Sequence, residues 1–221
     1  MTEKREPAAA GATFRDDLAA LRGRISALAA GVTAGFRTAM EGFDWSDAPR
    51  IDRARAGVPS IARESEEITG GLVELAARCP LGDRALVESP LGVITRLAQI
   101  GSCIEGFCDA AAVKMREGLL FSDKALKEME DLHAETGSLL DRAVLAFTAQ
   151  DAGLSRKVAE QGRAVERMID RIGDEHEKRL ASGSCAVRSS ALFLELLDAL
   201  RRIAGHAVGM ACASARGACG A

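Results

Sequence analysis

Few side chains in this sequence have the type and spacing to do chemistry. There are three histidines, and two of them stand near carboxylates at helical spacing. Glu130 and His133 are separated by i, i+3, the spacing with which carboxylate-bridged metal bundles present an oxygen and a nitrogen ligand from one helix. Asp170 and Asp174 are separated by i, i+4, so on a helix they share a face and could offer hard oxygen ligands to one divalent ion. His176 follows closely. A metal-storage bundle or a metal-dependent enzyme would draw on Glu130, His133, Asp170, Asp174 and His176, provided two helices bring them together. The competing reading of each is a solvated helix face or a core histidine, and the acidic run Glu64, Glu66, Glu67 reads as a solvated face as well.

Other chemistries find no foothold. The sequence has no GxSxG and no Cys-His motif for nucleophilic catalysis. No glycine-rich strand-to-helix turn marks a nucleotide site. The cysteines at 79, 103, 108, 185, 212 and 219 form no CxxC and read as small buried or mobile thiols.

The elements that must position these residues are helices. Phe14, Leu18, Leu21, Ile25, Leu28, Val32 and Phe36 recur every three or four residues, an apolar seam along one helix face. Further stripes run through Leu126, Met129, Thr136, Leu140, Val144 and Phe147, then Leu154, Val158, Val165, Met168, Ile172 and Leu180. The last runs through Leu192, Leu196, Leu200, Ile203, Ala207 and Met210. No segment sustains a period of two. Aromatics are only 4% of the chain, with no Tyr, which also favours helices over sheets. Ser89-Pro90 and Ser122 have the form of helix starts, and Pro59 should start or kink a helix. The spacing predicts six helices, over about 12–43, 48–78, 90–117, 122–150, 152–182 and 188–214, with disordered tails at 1–11 and 215–221. Small residues at Gly101, Ala204, Gly205 and Gly209 should let helices approach closely.

The helices also repeat. LAQIGSCI from Leu97 matches LRRIAGHA from Leu200, and a nearly equal shift pairs Asp47-Ala48 with Asp151-Ala152, Ile61 with Val165 and Ile68 with Ile172. Two matches in order indicate duplication of a three-helix unit. Short loops between long helices should pack neighbours antiparallel. A formal charge of −3 supplies no basic field for nucleic acid. The apolar runs are too short to span a bilayer. The charged start MTEKREPAAAGA has no apolar core of a signal peptide, so the expected location is cytoplasmic.

ERMIDRIGDEHEKRLASGSC (166–185) followed by FLELLDALRRIAGHAVGMA (193–211), with Phe121-Ser122 opening the fourth helix, resembles the PhoU family of phosphate-uptake regulators. The likeness is greatest to the PhoU-like cytoplasmic domain of bacterial sodium/phosphate cotransporters. It extends over roughly 14–214, strongly in the second triplet and in the first mainly through the repeat. It implies an all-α fold of two tandem three-helix bundles, 12–118 and 119–214, related by a pseudo-twofold. It further implies a non-enzymatic regulator of phosphate transport or signalling. Such a protein contacts a phosphate transporter or sensor kinase, reaches the membrane only through that partner, and can form a homodimer.

Members of the family often bind iron, zinc or other divalent metals through Glu-x-x-x-Asp, usually within Glu-Arg-Ile-Gly-Asp-His, once per triplet. Here those positions hold Ala98 and Ser102 in the first triplet and Arg201 and Gly205 in the second, although Ile100, Gly101, Arg202, Ile203 and His206 match. The expectation is no family-type metal cluster and no cofactor, with the helix kept for its packing seam. A fixed guanidinium beside the site would repel a cation. Arg201, with Gly205 one turn on, is a candidate anion site. The alternative is a metal-binding bundle whose site has moved to Glu130, His133, Asp170, Asp174 and His176.

Overall fold

In the computed structural model the described residues are 6–80, 82–183 and 185–215, with side chains described from Thr13 onward. They form six helices and no strand: α1 Glu6–Asp44, α2 Ala48–Ala77, α3 Arg84–Arg116, α4 Asp123–Ala149, α5 Ala152–Ala181 and α6 Val187–Ser214. The tails expected at 1–11 and 215–221 fall partly outside the described residues, at 1–5 and 216–221. From Glu6 onward the first of them is already helix.

Local chemistry sets most helix starts. The Asp47 carboxylate accepts the Arg50 N–H at 3.1 Å, and Pro49 follows in the first turn, where a missing N–H costs nothing. Ser122 Oγ accepts the Ala125 N–H at 3.2 Å, the cap expected from the sequence. Asp151 accepts from Gly153 at 2.7 Å and Leu154 at 3.1 Å. The repeat-related Asp47 and Asp151 thus perform the same task at the second helix of each triplet. One start differs from expectation. Ser89-Pro90 does not open α3, which begins at Arg84, so Pro90 lies buried inside the helix. Val87 and Pro90 are both buried, and burial of this extra apolar turn overrides the local preference of proline for a helix start. Pro59 likewise sits within an unbroken α2.

The six helices pack as α1–α2–α3 and α4–α5–α6. The triplets join through the pairs α3·α6 and α1·α4, each made of helices in equivalent positions of the two repeats. That pairing is what a pseudo-twofold between the triplets requires. Helices α3 and α6 run antiparallel: a Cβ on Gly92 would touch Ala213 at 2.9 Å, Arg96 reaches His206, and Glu117 pairs with Arg188. Fully buried along these two helices are Leu97, Ile100 and Ile104 of α3 and Leu196, Leu200, Ile203 and Ala207 of α6, while Phe107 of α3 packs on Phe43 and His133. Each large aliphatic side chain so buried contributes roughly 1.5–3 kcal/mol relative to exposure. Most of the stripes behave as read, but Leu126 is exposed, at the surface end of its stripe.

One charged pair is taken out of water within the second triplet. Arg179 donates to both Glu128 oxygens, at 3.3 and 2.9 Å, and each side chain is only 16% exposed. Removing one partner strands the other charge. Glu128→Ala should therefore lower unfolding stability by about 3 kcal/mol, roughly 6–12 °C in melting temperature. Lys127→Ala, which removes the exposed partner of Glu130, should leave the melting temperature nearly unchanged, because solvent screens the pair. Thermal denaturation of the two variants tests the contrast, and equal losses would contradict it.

Candidate functional site

The helices place the five possible metal ligands apart. Glu130 is on the exposed face of α4, paired with Lys127 at 3.0 Å. His133, one turn on, points inward. Its Nδ1 lies 2.9 Å from Asp44 Oδ1 of α1, and because a carboxylate accepts, Nδ1 carries the proton. The ring packs edge-on against Phe43 and Phe107, and its Nε2 is buried without a hydrogen-bond partner.

His176 on α5 is buried and stacks on Phe193 of α6 with centroids 4.4 Å apart. The Arg179 guanidinium stands 3.5 Å from His176 Nδ1, so that nitrogen accepts and the proton sits on Nε2. Asp170 and Asp174 are exposed on α5. The α4 pair and the α5 pair do not converge, and among the described residues no group of three or more His, Cys, Asp or Glu side chains is arranged to hold a metal ion. The five residues are not brought to one place: Glu130 and His133 line a cleft of about 440 Å³ beside Asp44, whereas Asp170 and Asp174 lie in the cleft between α5 and α6. The acidic run on α2 is not bare either, since Arg24 of α1 bridges Glu64 and Glu67 at 2.8 and 3.0 Å.

The signature positions lie off the α3·α6 seam. Ala98 is half-buried and Ser102 exposed, with the Ser102 hydroxyl directed to the Ala98 carbonyl at 3.4 Å. On α6, Arg201 donates through Nη2 to Asp170 Oδ1 at 2.7 Å. The position where the resemblance calls for a Glu thus neutralises the nearest Asp of α5. Sequence reading treated Arg201 and Asp170 as separate features, because their contact needs the α5–α6 register. Ala98, Ser102, Arg201 and Gly205 supply no carboxylate, so they do not fit the metal cluster that the resemblance implies. Gly205 is exposed, and a Cβ there would meet nothing within 4 Å. The close-approach expectation fails at this glycine. It holds at Gly101, where a Cβ would come within 3.0 Å of Ile61, and at Gly209, where it would come within 2.9 Å of Arg96 Nε.

Beside Gly205 a cavity of about 590 Å³ opens between α3, α5 and α6, walled by Arg96, Arg163, Arg201, Arg202, Glu166 and His206. A smaller cleft of about 270 Å³ on the other side of Arg201 holds Asp170, Asp174, Glu177 and Asp198. Arg201 divides a basic hollow from an acidic one. Sequence reasoning found Arg201 and missed Arg96 and Arg163, whose approach depends on helix packing.

The cysteines divide between two states. Cys79, Cys103, Cys108 and Cys185 are free, and burial pushes the Cys108 thiol up to about 12, with Asp109 adding to it. Such a thiol is protonated and inert near neutrality. Cys212 is disulfide-bonded, against the expectation of thiols throughout.

With this geometry in view, the comparisons define first a fold. The structure matches that of PhoU from Pseudomonas aeruginosa with a TM-score of 0.85 at 21% identity, over 91% of this chain and 96% of that one. It matches the phosphate transport system regulatory protein PhoU from Streptococcus pneumoniae with a TM-score of 0.82 at 15% identity, over 91% and 94%. The chain is an all-α protein of the PhoU fold. In sequence, residues 129–213, from α4 to the end of α6, match the family described as the PhoU domain. No curated protein gives a significant match.

Two histidines make stability depend on pH. Burial first, and then Arg179, holds His176 below its ordinary pKa of 6.5, against Glu128 and Glu177, which raise it. Burial first, and then Arg96 and Arg202, does the same at His206. The folded state therefore binds a proton less readily than the unfolded chain. Stability from these sites is complete above about pH 6.5 and lost as pH falls through that value and below. Urea unfolding should show stability decreasing from pH 7.5 to 5, with a shallower slope in His176→Gln. A flat profile in the parent protein would contradict the assignment.

Proposed function

We propose that this protein is a non-enzymatic regulator of phosphate transport or phosphate signalling, working in the cytoplasm by contact with a transporter or sensor kinase. The observation that carries the reading is the PhoU domain match over 129–213 on a chain with the PhoU fold throughout. One structural relative is itself described as a phosphate transport system regulatory protein. Among the described residues no helix is long and apolar enough to cross a membrane, which agrees with action through a membrane-bound partner. The carboxylate positions of the family motif hold Ala98, Ser102, Arg201 and Gly205, so the regulator proposed here works through its protein surfaces without a metal cluster at those positions.

The surface best suited to such contact is one end of the bundle. Trp45 in the α1–α2 loop, Leu120 in the α3–α4 loop and Val187 at the start of α6 are 79%, 85% and 76% exposed. The side chains beneath them hold these three segments together: Phe43 packs on Phe121 at 6.2 Å, Phe121 on Phe193 at 5.5 Å, and Arg188 donates to Glu117 at 2.8 and 3.0 Å. An exposed Trp at the same end of the bundle as two exposed aliphatic side chains supplies the residue types on which binding hot spots are built.

Deleting the gene should change phosphate uptake or the response to phosphate starvation, and the intact gene should restore it. Trp45→Ala with Leu120→Ala should leave the fold intact, reduce rescue, and weaken co-purification with the phosphate transporter or its sensor by about thirtyfold. A deletion with unchanged uptake and unchanged starvation response would sink the reading.

A further inference from the structure

The cavity between α3, α5 and α6 has features that contact with a protein partner does not explain. Arginines from three helices line it: Arg96 from α3, Arg163 from α5, Arg201 and Arg202 from α6. Only one carboxylate, Glu166, stands in the wall. Arg201 and Arg202 each pair with a carboxylate of the neighbouring cleft, Asp170 at 2.7 Å and Asp198 at 3.3 Å, in exposed pairs that contribute little. Neither Arg96 nor Arg163 makes an ion pair among the described residues.

Arg96 is also held in place. Its Nη1 donates to Gln99 Oε1 at 3.2 Å and lies 3.4 Å from His206 Nδ1. Since a guanidinium only donates, His206 accepts through Nδ1 and carries its proton on Nε2, as a neutral second donor. The stem of Arg96 crosses α6 at Gly209, where a Cβ would stand 2.9 Å from Nε. A side chain at Gly209 would force the guanidinium away. At Gly205 the opposite holds: open space above the backbone keeps the cavity accessible.

We propose that this cavity binds a small molecule through a phosphoryl group. A planar guanidinium matches a phosphoryl oxyanion with two parallel hydrogen bonds, and several guanidinium groups suit a di- or polyanion better than a single carboxylate. A volume of about 590 Å³ falls in the range of pockets that enclose an organic ligand. Around the arginines the wall is small and apolar, with Ala159, Gly162 and Ala204 among its residues, a surface on which the body of such a ligand can rest. The proposal stands independently of the regulatory reading, because it rests on the cavity alone.

Isothermal titration of the full chain at low salt, with inorganic phosphate, pyrophosphate and ATP as probes, tests it. Saturable one-to-one binding of at least one probe is expected. Arg96→Gln and the exposed Arg163→Gln should each weaken it about tenfold or more. Arg55→Gln, which removes a guanidinium paired with Asp109 away from the cavity, should leave it unchanged. Tighter binding of ATP supports an organic phosphate as the ligand, and equal binding of inorganic phosphate supports the same phosphoryl site with the free ion as its source. No saturable heat with any probe, affinity unchanged in both Arg96→Gln and Arg163→Gln, or an equal loss in Arg55→Gln would overturn the proposal.

Discussion

The burial of α3 against α6 is the constraint on which the rest of the molecule depends. The two triplets meet most extensively along the antiparallel α3–α6 pair, where Leu97, Ile100 and Ile104 of one helix and Leu196, Leu200, Ile203 and Ala207 of the other are fully buried. A helix that turns once per 3.6 residues cannot commit those positions inward without rotating others outward. The positions rotated out include Ala98 and Ser102 on α3 and Arg201 and Gly205 on α6. The buried seam itself does not use these four positions, and the chain shares its fold with structures only 15–21% identical to it.

What stands there changes the electrostatics of the face. At position 201 a carboxylate would add to Asp170, Asp174, Glu177 and Asp198 and make a strongly anionic cleft. Arg201 pairs with Asp170 instead and faces the basic cavity on its other side. Gly205, with open space above it, neither adds charge nor fills the hollow. The surface is thereby divided into a compensated acidic cleft and a hollow dominated by arginine.

Much of the fold was legible in the sequence because helical periodicity and caps are local signals. The seams of α1 and α6 and the cap at Ser122 follow from side chains a few residues apart, and the repeat shows in the Leu97/Leu200 and Asp47/Asp151 matches, whereas the capping roles of Asp47 and Asp151 emerged only in the structure. The start of α3 was not, since a buried Pro90 inside a helix is a tertiary outcome that local proline rules oppose. The site was less legible still. Arg96 meets His206 across 110 positions of sequence and Arg201 meets Asp170 across 31, contacts fixed by helix register alone. The inward turn of His133 and His176 could not be read either, because i, i+3 and i, i+4 spacing defines a shared face without saying whether that face meets solvent or core.

The regulator proposed above works without a metal at Ala98, Ser102, Arg201 and Gly205, with Asp170 of α5 held by Arg201. Elemental analysis of the purified, tag-free protein by mass spectrometry, beside an Asp170→Ala/Asp174→Ala variant, tests this most directly. The account predicts no stoichiometric iron, zinc or manganese in either protein. One or more equivalents of metal in the parent that disappear in the variant would contradict it, and would mean that α5 binds metal despite the guanidinium at its side.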